Sequence, residues 1–494
     1  MTRRCRYREG MYRRIASLVV SMVLVATGSV LGAAPLAEAA TTDWLTYHHD
    51  GLRTADAVLP GALTSLTTAW QWDVPQPLQD QNLYAEPLIA DGLVIVTSES
   101  NWVYAISATT GQLVWSTNLG HPEIPAAGVC GNVQTASQPS IGITSTPVID
   151  QQRGELYVVA AIGTGTGYHD PVRQLFGLNL LTGATELNRN VEPLGASDTY
   201  QLQRTALAED RGNILIGFGG NSGDCGTYHG WLESVSGSST TAPIARFEVD
   251  SGPGQNQGAI WMGGAAPTVD GAGNVFVATG NGSSCSPTSP YDNSDSVLEL
   301  SASMKVVGRF APPSFRSDNC HDRDLGSGAT QLLSSGALLQ IGKTHHGYLL
   351  RPPLLGGVGA RPNSFFVCPG GQANGGDAVI SQSATKAILA IPCSGGLQGA
   401  TVSAAGATLS GAVTWTASVA TGPPILAAGS LVGIEPGLGG GSLDVINPSN
   451  GHVRLSRSIG PVTNHFDTPA AGEGLLVVAT AGSVYAIRPT IAGG

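Results

Sequence analysis

Short apolar runs separated by turn residues recur along the chain from residue 87 to residue 487. The first unit contains four of them, at 87–89, 93–97, 103–106 and 113–116. Runs this short, rich in Val, Ile and Leu, are typical of β-strands, because an amphipathic helix needs about ten residues or more. Four such strands joined mostly by tight turns predict one blade of a β-propeller.

The same pattern opens seven further units, so the blade is repeated along the chain. A short apolar strand, a turn of Asp, Gly or Asn, and a β-branched strand recur near residues 147, 204, 267, 329, 377, 423 and 467. Unit starts are 44 to 63 residues apart, which fits blades of four strands. We therefore predict an all-β fold, an eight-bladed β-propeller of four-stranded blades, as a single domain over residues 40–494.

The last unit provides only three strands, at 468–471, 475–480 and 484–487. Residues 66–74, with Trp70 and Trp72, have the character of a fourth strand but no blade precedes them. Pairing this N-terminal strand into the last blade would close the ring and remove an open sheet edge.

Loop length distinguishes the two ends of the predicted propeller. The turns between the first and second strands of the blades are short, as at Asp91-Gly92 and 270–274. The long connections all fall at the opposite end, at 120–144, 163–173, 219–230, 251–264, 280–295 and 312–328. We therefore expect one plain face and one built-up face, and we expect function on the built-up face.

Residues 1–39 have the form of an export signal. Six arginines precede residue 15, residues 15–31 are mostly apolar, and Ala37-Glu38-Ala39 offers a cleavage site flanked by small residues. No later apolar segment reaches about 18 residues. We therefore expect a secreted, extracellular protein with no membrane span; export by the Sec route is favoured, and the twin-arginine route stays open because of Arg13-Arg14.

The mature chain is acidic. Without residues 1–39, 18 basic and 33 acidic residues remain, and the net charge is near −15. That charge argues against nucleic acid or an anionic membrane as a partner. We expect a monomer that takes a small molecule or polymer in the axial funnel, or an extracellular protein partner.

Six cysteines follow the signal, and an even number in an exported chain indicates three disulfides. Proximity in the sequence favours the pairs Cys285–Cys320 and Cys368–Cys393, which leaves Cys130 to pair with Cys225. Other connectivities stay open. No Cys-x-x-Cys-His motif is present, so no covalently attached haem is expected.

Residues 105–115 read Ala-Ile-Ser-Ala-Thr-Thr-Gly-Gln-Leu-Val-Trp. This segment resembles the blade signature of the quinoprotein dehydrogenases, Ala-x-Asp-x-x-Thr-Gly-x-x-x-Trp, in which the tryptophan docks against the neighbouring blade. Weaker copies lie at 177–187 and 445–455, and one blade alone keeps the tryptophan. The chain is similar to a diverged member of the eight-bladed pyrroloquinoline quinone (PQQ) dehydrogenase-like family.

The resemblance extends to the cofactor site of the family's alcohol dehydrogenases. Trp261 resembles the tryptophan floor under the quinone, and Asn281, in Thr279-Gly280-Asn281, resembles an asparagine that binds calcium. Asp322 resembles the catalytic base, and Lys343 the cation at the quinone oxygens. Calcium prefers oxygen ligands and an alcohol needs a base, so these residue types suit the chemistry. The resemblance therefore implies PQQ and calcium as cofactors, with Asp322 and Asp324 as further candidate calcium ligands.

Other parts of the family's site have changed. Its Ser-Gly-Ala-Glu patch corresponds to Ser222-Gly223-Asp224-Cys225, so the resemblance implies Ser222 and Gly223 beside the cofactor and Asp224 as a calcium ligand shifted by one position. The family's adjacent cysteine pair is absent, and no cofactor-anchoring arginine lies near residues 140–142.

Structural roles are an alternative for each candidate. Trp261 would pack between blades, Asn281 would form a turn, and Asp322 and Asp324 would bond loop amides. The pairs His48-His49 and His345-His346 are not expected to bind metal, because adjacent residues on a strand point to opposite faces.

Two functions follow from these observations. The first is a secreted quinoprotein-like propeller that binds a small molecule, glycan or partner in its axial funnel, with a partly degenerate cofactor site. The second is a PQQ- and calcium-dependent dehydrogenase that oxidises an alcohol or a sugar. No nucleotide fingerprint, Walker loop or nucleophile elbow indicates another reaction.

Overall fold

The computed structural model describes residues 43–57, 59, 61–75, 82–131, 139–193, 199–221 and 225–492. The predicted export signal at 1–39 lies outside the described residues. So do three candidate site residues, Ser222, Gly223 and Asp224.

The described strands form eight sheets, which confirms the predicted eight-bladed propeller. The first strand of the chain, β1 (Ala62–Asp73), belongs to the last blade, and each of the other blades takes its strands in sequence order. Blade one contains β2–β5 (Leu88–Ala90, Leu93–Thr97, Trp102–Ser107, Leu113–Asn118). Blade two contains β6–β9 (Val148–Asp150, Glu155–Thr164, Asp170–Asn179, Thr185–Asn190). Blade three contains β10–β14 (Gln201–Leu202, Ala208–Asp210, Asn213–Gly220, Trp231–Ser236, Ala245–Glu248).

The next two blades share one long connection. Blade four contains β15–β18 (Thr268–Val269, Val275–Ala278, Val297–Leu300, Val306–Ala311). Blade five contains β19–β21 and β23 (Thr330–Leu332, Leu338–Ile341, His346–Leu350, Ser364–Phe366). Between these last two strands, β22 (Gly357–Val358) returns to pair in parallel with the outer strand of blade four. Blades three and four therefore each carry a short fifth strand.

The ring ends with three regular blades. Blade six contains β24–β27 (Ala378–Gln382, Lys386–Cys393, Gly396–Ala405, Thr408–Thr416). Blade seven contains β28–β31 (Ile425–Ala427, Ser430–Glu435, Ser442–Ile446, Val453–Ser458), and blade eight contains β32–β34 (Ala470–Gly472, Leu475–Ala479, Ser483–Ala492) with β1. The described helices are short: α1 (Phe315–Asn319) and three single 3-10 turns, Thr166–Tyr168, Met262–Gly264 and Leu325–Ser327. No helix in the described part of the chain is long and apolar enough to cross a membrane.

The N-terminal strand closes the ring, as predicted. It pairs antiparallel with β34 from Ala62 opposite Ala492 to Asp73 opposite Ser483. The strand begins four residues earlier than the predicted range of 66–74. Because its partner is the last strand of the chain, the two ends of the propeller are held by one ladder of backbone hydrogen bonds.

Three tryptophans dock neighbouring blades through the same contact. Each indole N–H donates to a backbone oxygen of the next blade: Trp70 Nε1 to Ala108 O at 2.8 Å, Trp115 Nε1 to Leu180 O at 3.0 Å, and Trp415 Nε1 to Pro448 O at 3.0 Å. The rings pack on turn glycines of positive φ, at Gly111, Gly183 and Gly451. The prediction that one blade alone keeps this tryptophan is therefore wrong: Trp70 and Trp415 make the same contact as Trp115 although neither follows a Thr-Gly pair at the signature spacing.

The segment 44–57 runs along the inner edges of seven blades before β1 begins. It bonds in order to the innermost strand, or the residue beside it, in blades one to seven, through Ile89, Ile149, Leu207, Val269, Gln331, Val379 and Leu426. These bonds satisfy backbone groups that would otherwise face the axis. Arg53, 1% exposed, donates from this segment to the carbonyl oxygen of Pro267.

The structure confirms two of the three predicted disulfides. Cys130 pairs with Cys225, and Cys368 pairs with Cys393, with Cα atoms 6.0 Å and 5.3 Å apart. The third pairing is wrong for this structure, in which Cys285 and Cys320 are free and exposed thiols. They are nevertheless neighbours: Cys320 Sγ lies 3.3 Å from the carbonyl oxygen of Cys285, and the two thiols interact with each other.

Candidate functional site

Five of the predicted site residues meet on the built-up face. Trp261 precedes the turn Met262–Gly264 at the start of blade four, and Asn281 follows β16 in the same blade. Asp322 and Asp324 lie in the connection to blade five, and Lys343 follows β20. These positions are ends of strands that all finish on one face of the ring, as the strand order requires.

Lys343 is the centre of the cluster. Its ammonium Nζ lies 2.5 Å from Oδ1 of Asp322 and 2.6 Å from Oδ2 of Asp324. Asn281 joins both carboxylates, because its backbone N–H donates to Asp324 Oδ1 at 2.8 Å and its side-chain Nδ2 donates to Asp322 Oδ1 at 3.1 Å. The ammonium is therefore held in a fixed place by two charged hydrogen bonds.

Burial differs sharply within this cluster. The side chain of Asp324 is 7% exposed and that of Lys343 18%, whereas that of Asp322 is 70% exposed. Burial alone would raise the pKa of Asp322, but the hydrogen bond and charge of Lys343 outweigh it and hold that pKa below its ordinary value. Burial likewise opposes the charge of Lys343, and Asp324 and Asp322 together raise the pKa of Lys343 above its ordinary value. Asp322 and Lys343 are therefore charged at neutral pH, and Asp322 presents an ionised carboxylate to solvent.

Trp261 forms an aromatic surface beside the lysine. Lys343 Nζ lies 5.9 Å from the centroid of the Trp261 ring, within the range of a cation–π contact. Phe466, from the start of blade eight, contacts the same ring edge-on with centroids 5.8 Å apart. The indole is partly exposed, so it is not wholly used in packing between blades.

Gly280 and Gly326 allow the loops to approach this closely. A side chain on Gly280 would collide with Asp324 Oδ1 and crowd Trp261 Nε1, and one on Gly326 would lie 2.7 Å from the backbone of Thr279. The glycines therefore let the carboxylate of Asp324 reach the amide of Asn281.

A second pair of ionisable side chains, Arg204 and Asp467, lies near Trp261 and was not predicted from the sequence. Arg204 lies between β10 and β11 of blade three, its guanidinium lies against Gly264, and it interacts electrostatically with Asp467, which precedes β32 of blade eight. Burial lowers the pKa of Arg204 and raises that of Asp467 well above its ordinary value. Both residues lie a few residues before an innermost strand, a position that recurs in each blade and could have identified them.

Lys343 also borders an open cleft of about 740 Å³. Its other lining residues include Arg323, His345, His346 and Arg361. The two histidines contact different partners, since the ring of His345 bonds the carbonyl oxygen of Cys368 and that of His346 packs near Tyr348. Among the described residues, neither this pair nor His48-His49 forms part of a three-residue metal-ligating group.

Comparisons with known proteins support the fold. Over 91% of this chain and 81% of the other, the structure is similar to quinohemoprotein alcohol dehydrogenase from Comamonas testosteroni (TM-score 0.64, 16% identity). It is also similar to the quinohemoprotein alcohol dehydrogenase ADHIIG from Pseudomonas putida HK5 (TM-score 0.63, 13% identity, 90% and 80% covered). A more distant likeness is to BamB from Moraxella catarrhalis (TM-score 0.51, 13% identity, 86% and 98% covered).

No family model and no curated protein sequence matches the chain. At these identities the structural likeness shows a diverged PQQ-dehydrogenase-like propeller fold. A shared fold does not establish a shared reaction, so the chemistry of the site depends on its own residues.

Proposed function

We propose that the protein binds a flat, oxygen-bearing small molecule in its axial funnel, stacked on Trp261 and hydrogen-bonded to Lys343. The observation that supports this most is the fixed ammonium beside a partly exposed indole. An aromatic surface with a convergent charged donor is the usual composition of a small-molecule site. The ligand class is therefore quinones and aromatic carboxylates, whose oxygens accept from a cation.

The carboxylates of Asp322 and Asp324 hold the ammonium of Lys343 in position for a ligand. Without Asp322 and Asp324, the four-carbon side chain of Lys343 would lose entropy on meeting a ligand. Here the ion pairs hold it in advance, and Arg204 places a second cation near Gly264, three residues beyond Trp261. We therefore expect a ligand with two separated oxygen groups to bind more tightly than one with a single group.

Calcium is not part of this proposal. Both oxygens of Asp324 and Oδ1 of Asp322 already accept N–H donors, and the ammonium of Lys343 supplies the positive charge between them. The described residues thus fit a lysine-neutralised site better than a metal site. Calcium remains a prediction of the sequence, since the third proposed carboxylate, Asp224, lies outside the described residues.

Oxidation of an alcohol or sugar is the second candidate function, favoured by the exposed and ionised carboxylate of Asp322. PQQ fits the described part of the site through the aromatic floor of Trp261 and the cation of Lys343, and when bound it would supply the hydride acceptor. Asp322 would take the hydroxyl proton at its carboxylate, with Lys343 holding that carboxylate in place.

We also propose that the protein acts outside the cytoplasm. The form of residues 1–39 and the two disulfides support this, because disulfides persist in oxidising compartments.

Binding of PQQ to the purified protein, followed by tryptophan fluorescence and calorimetry with calcium or with EDTA, tests the proposal. Trp261→Ala and Lys343→Met should each weaken binding at least about tenfold. The matched controls Trp72→Phe, on the outer strand of blade eight, and Lys386→Met, on the exposed start of β25, should leave it unchanged. Absence of binding, or equal loss in the controls, would contradict the proposal.

Dye reduction across a panel of alcohols and sugars separates the two functions. Binding without turnover supports the first, whereas turnover that disappears in Asp322→Asn while PQQ binding persists establishes the dehydrogenase.

A further inference from the structure

Three metal-ligating side chains that are not part of the lysine cluster meet in blade three. His229 precedes β13, Glu248 ends β14, and Asp250 follows two residues later. His229 Nδ1 lies 3.0 Å from Asp250 Oδ1 and 3.5 Å from Glu248 Oε1, and one ligand atom from each residue falls within 4.8 Å of the others. Ligands at about 2.0–2.2 Å from one metal ion are separated by roughly 3.0–3.6 Å, so the two distances measured from His229 Nδ1 suit a shared ion.

The acid at the centre of this cluster is paired with His229 through Oδ1 and not through Oδ2. Asp250 is completely buried, and its Oδ2 has no hydrogen-bond partner among the residues that the structure describes. Asp292, 2% exposed, acts on Asp250 as a second nearby negative charge. Within the described ranges, the ion pairs of Asp250 and Glu248 are with His229 and with no arginine or lysine. A buried carboxylate in this state is costly unless a cation joins it.

We propose that His229, Glu248 and Asp250 bind one divalent transition-metal ion of the zinc class. One imidazole nitrogen and two carboxylates suit Zn²⁺, whereas Ca²⁺ and Mg²⁺ prefer oxygen ligands alone. Three protein ligands leave a position for water, and the partial exposure of His229 (21%) and Glu248 (28%) provides the route for it. A hydrogen bond between His229 and Asp250 alone would leave Oδ2 of Asp250 unsatisfied.

The ion would tie together the loops beside the funnel. Backbone bonds run from Gly230 N to Gln257 O and from Gly258 N to Asn281 O, at 2.8 Å and 2.7 Å. The cluster is therefore connected to Asn281 through one short segment, 257–258. This role does not depend on the proposed function, because it needs no ligand in the funnel.

Metal binding to the full-length mature protein tests the inference. After treatment with EDTA and gel filtration, ZnCl₂, MnCl₂ and CaCl₂ are titrated separately, with calorimetry for affinity and elemental analysis for stoichiometry. We expect one zinc ion per chain, bound more tightly than calcium. Asp250→Asn and His229→Gln should each weaken zinc binding at least about tenfold, while His452→Gln, an exposed histidine of blade seven, should not.

The free thiols need their own control, because Cys285 and Cys320 would also bind zinc. Zinc binding that persists in Cys285→Ser/Cys320→Ser supports the inference, and zinc binding that vanishes there overturns it. If Asp250→Asn does not fold, Glu248→Gln and the Co²⁺ spectrum of the unaltered protein give the ligand set independently, with no thiolate band expected. Preference for calcium, or zinc binding unchanged in both His229→Gln and Glu248→Gln, would overturn the inference.

Discussion

Lys343 and Asp324 are joined twice. The backbone N–H of Lys343 donates to the carbonyl oxygen of Asp324 at 2.9 Å, and its ammonium lies 2.6 Å from the carboxylate of the same residue. A loop between blades and the end of an inner strand are thus held together by one main-chain and one side-chain bond. The ion pair is therefore part of the architecture of the face as well as of its chemistry.

Loss of the ammonium should destabilise the protein. In Lys343→Met the buried carboxylate of Asp324 loses its charge partner and keeps the amide of Asn281. We expect the free energy of unfolding to fall by about 2–3 kcal/mol, because a buried charge is left unpaired. Urea denaturation measures this. Lys386→Met, at an exposed position, should change it by less than about 0.5 kcal/mol; equal effects would contradict the prediction.

Asp377 should make stability fall as pH rises. Burial raises the pKa of this axial carboxyl to about 8 in the folded protein, from an ordinary value of 3.8. The folded state therefore keeps a proton that the unfolded chain releases, and the stability from this group is complete below pH 3.8 and lost as pH rises through 8. Asp377→Asn should be more stable than the unaltered protein at pH 9 by at least about 1 kcal/mol, and the gap should close near pH 5. Urea denaturation at both pH values checks the sign.

The contact of a tryptophan with a turn glycine should be energetically important. Gly183 has φ +69°, and a Cβ there would collide with the ring of Trp115. We expect Gly183→Ala to cost about 2–4 kcal/mol, from backbone strain and overpacking together.

Gly154 in the same blade is the matched control for that change. It has φ +66° and open space around it, so Gly154→Ala should cost about 1–2 kcal/mol from strain alone. Thermal unfolding of both variants would separate the two contributions, and equal costs would show that the docking contact contributes little.

The two free cysteines should be detectable in the unreduced protein. A thiol reagent should titrate two groups per mature chain, falling to one in Cys285→Ser and rising to six after reduction and denaturation. Burial, with the neighbouring thiol of Cys320, raises the pKa of Cys285 to about 11. Its reaction at neutral pH should therefore be slowed by about a hundredfold relative to an ordinary thiol. Absence of reactive thiols would show that Cys285 and Cys320 are bridged after all.

Much of the architecture was predictable because its signals are local. Turn residues and short apolar runs mark each blade. The strand that precedes blade one had no partner in its own unit, and the last unit lacked its outer strand, so pairing beside β34 was expected. The docking tryptophans were undercounted for a physical reason. Trp70 and Gly111 belong to different blades, so the motif is completed only between neighbours in space.

The site was predicted in part. Strand order placed Trp261, Asn281, Asp322 and Lys343 on one face, since the ends of successive strands are fixed by the up-down pattern. It could not show that one ammonium is shared by two carboxylates, nor that Arg204 and Asp467 approach each other from blades three and eight.

The sequence by itself determined the number of blades and the strand that closes the ring. These features depend on residues that are close together in the sequence and on a strand pattern that recurs in every blade. Only the tertiary structure decided which charged groups meet: Lys343 with its two carboxylates, and His229 with Glu248 and Asp250. Closure of the ring brings together residues that are far apart in sequence, and their distances depend on how all eight blades pack around the axis.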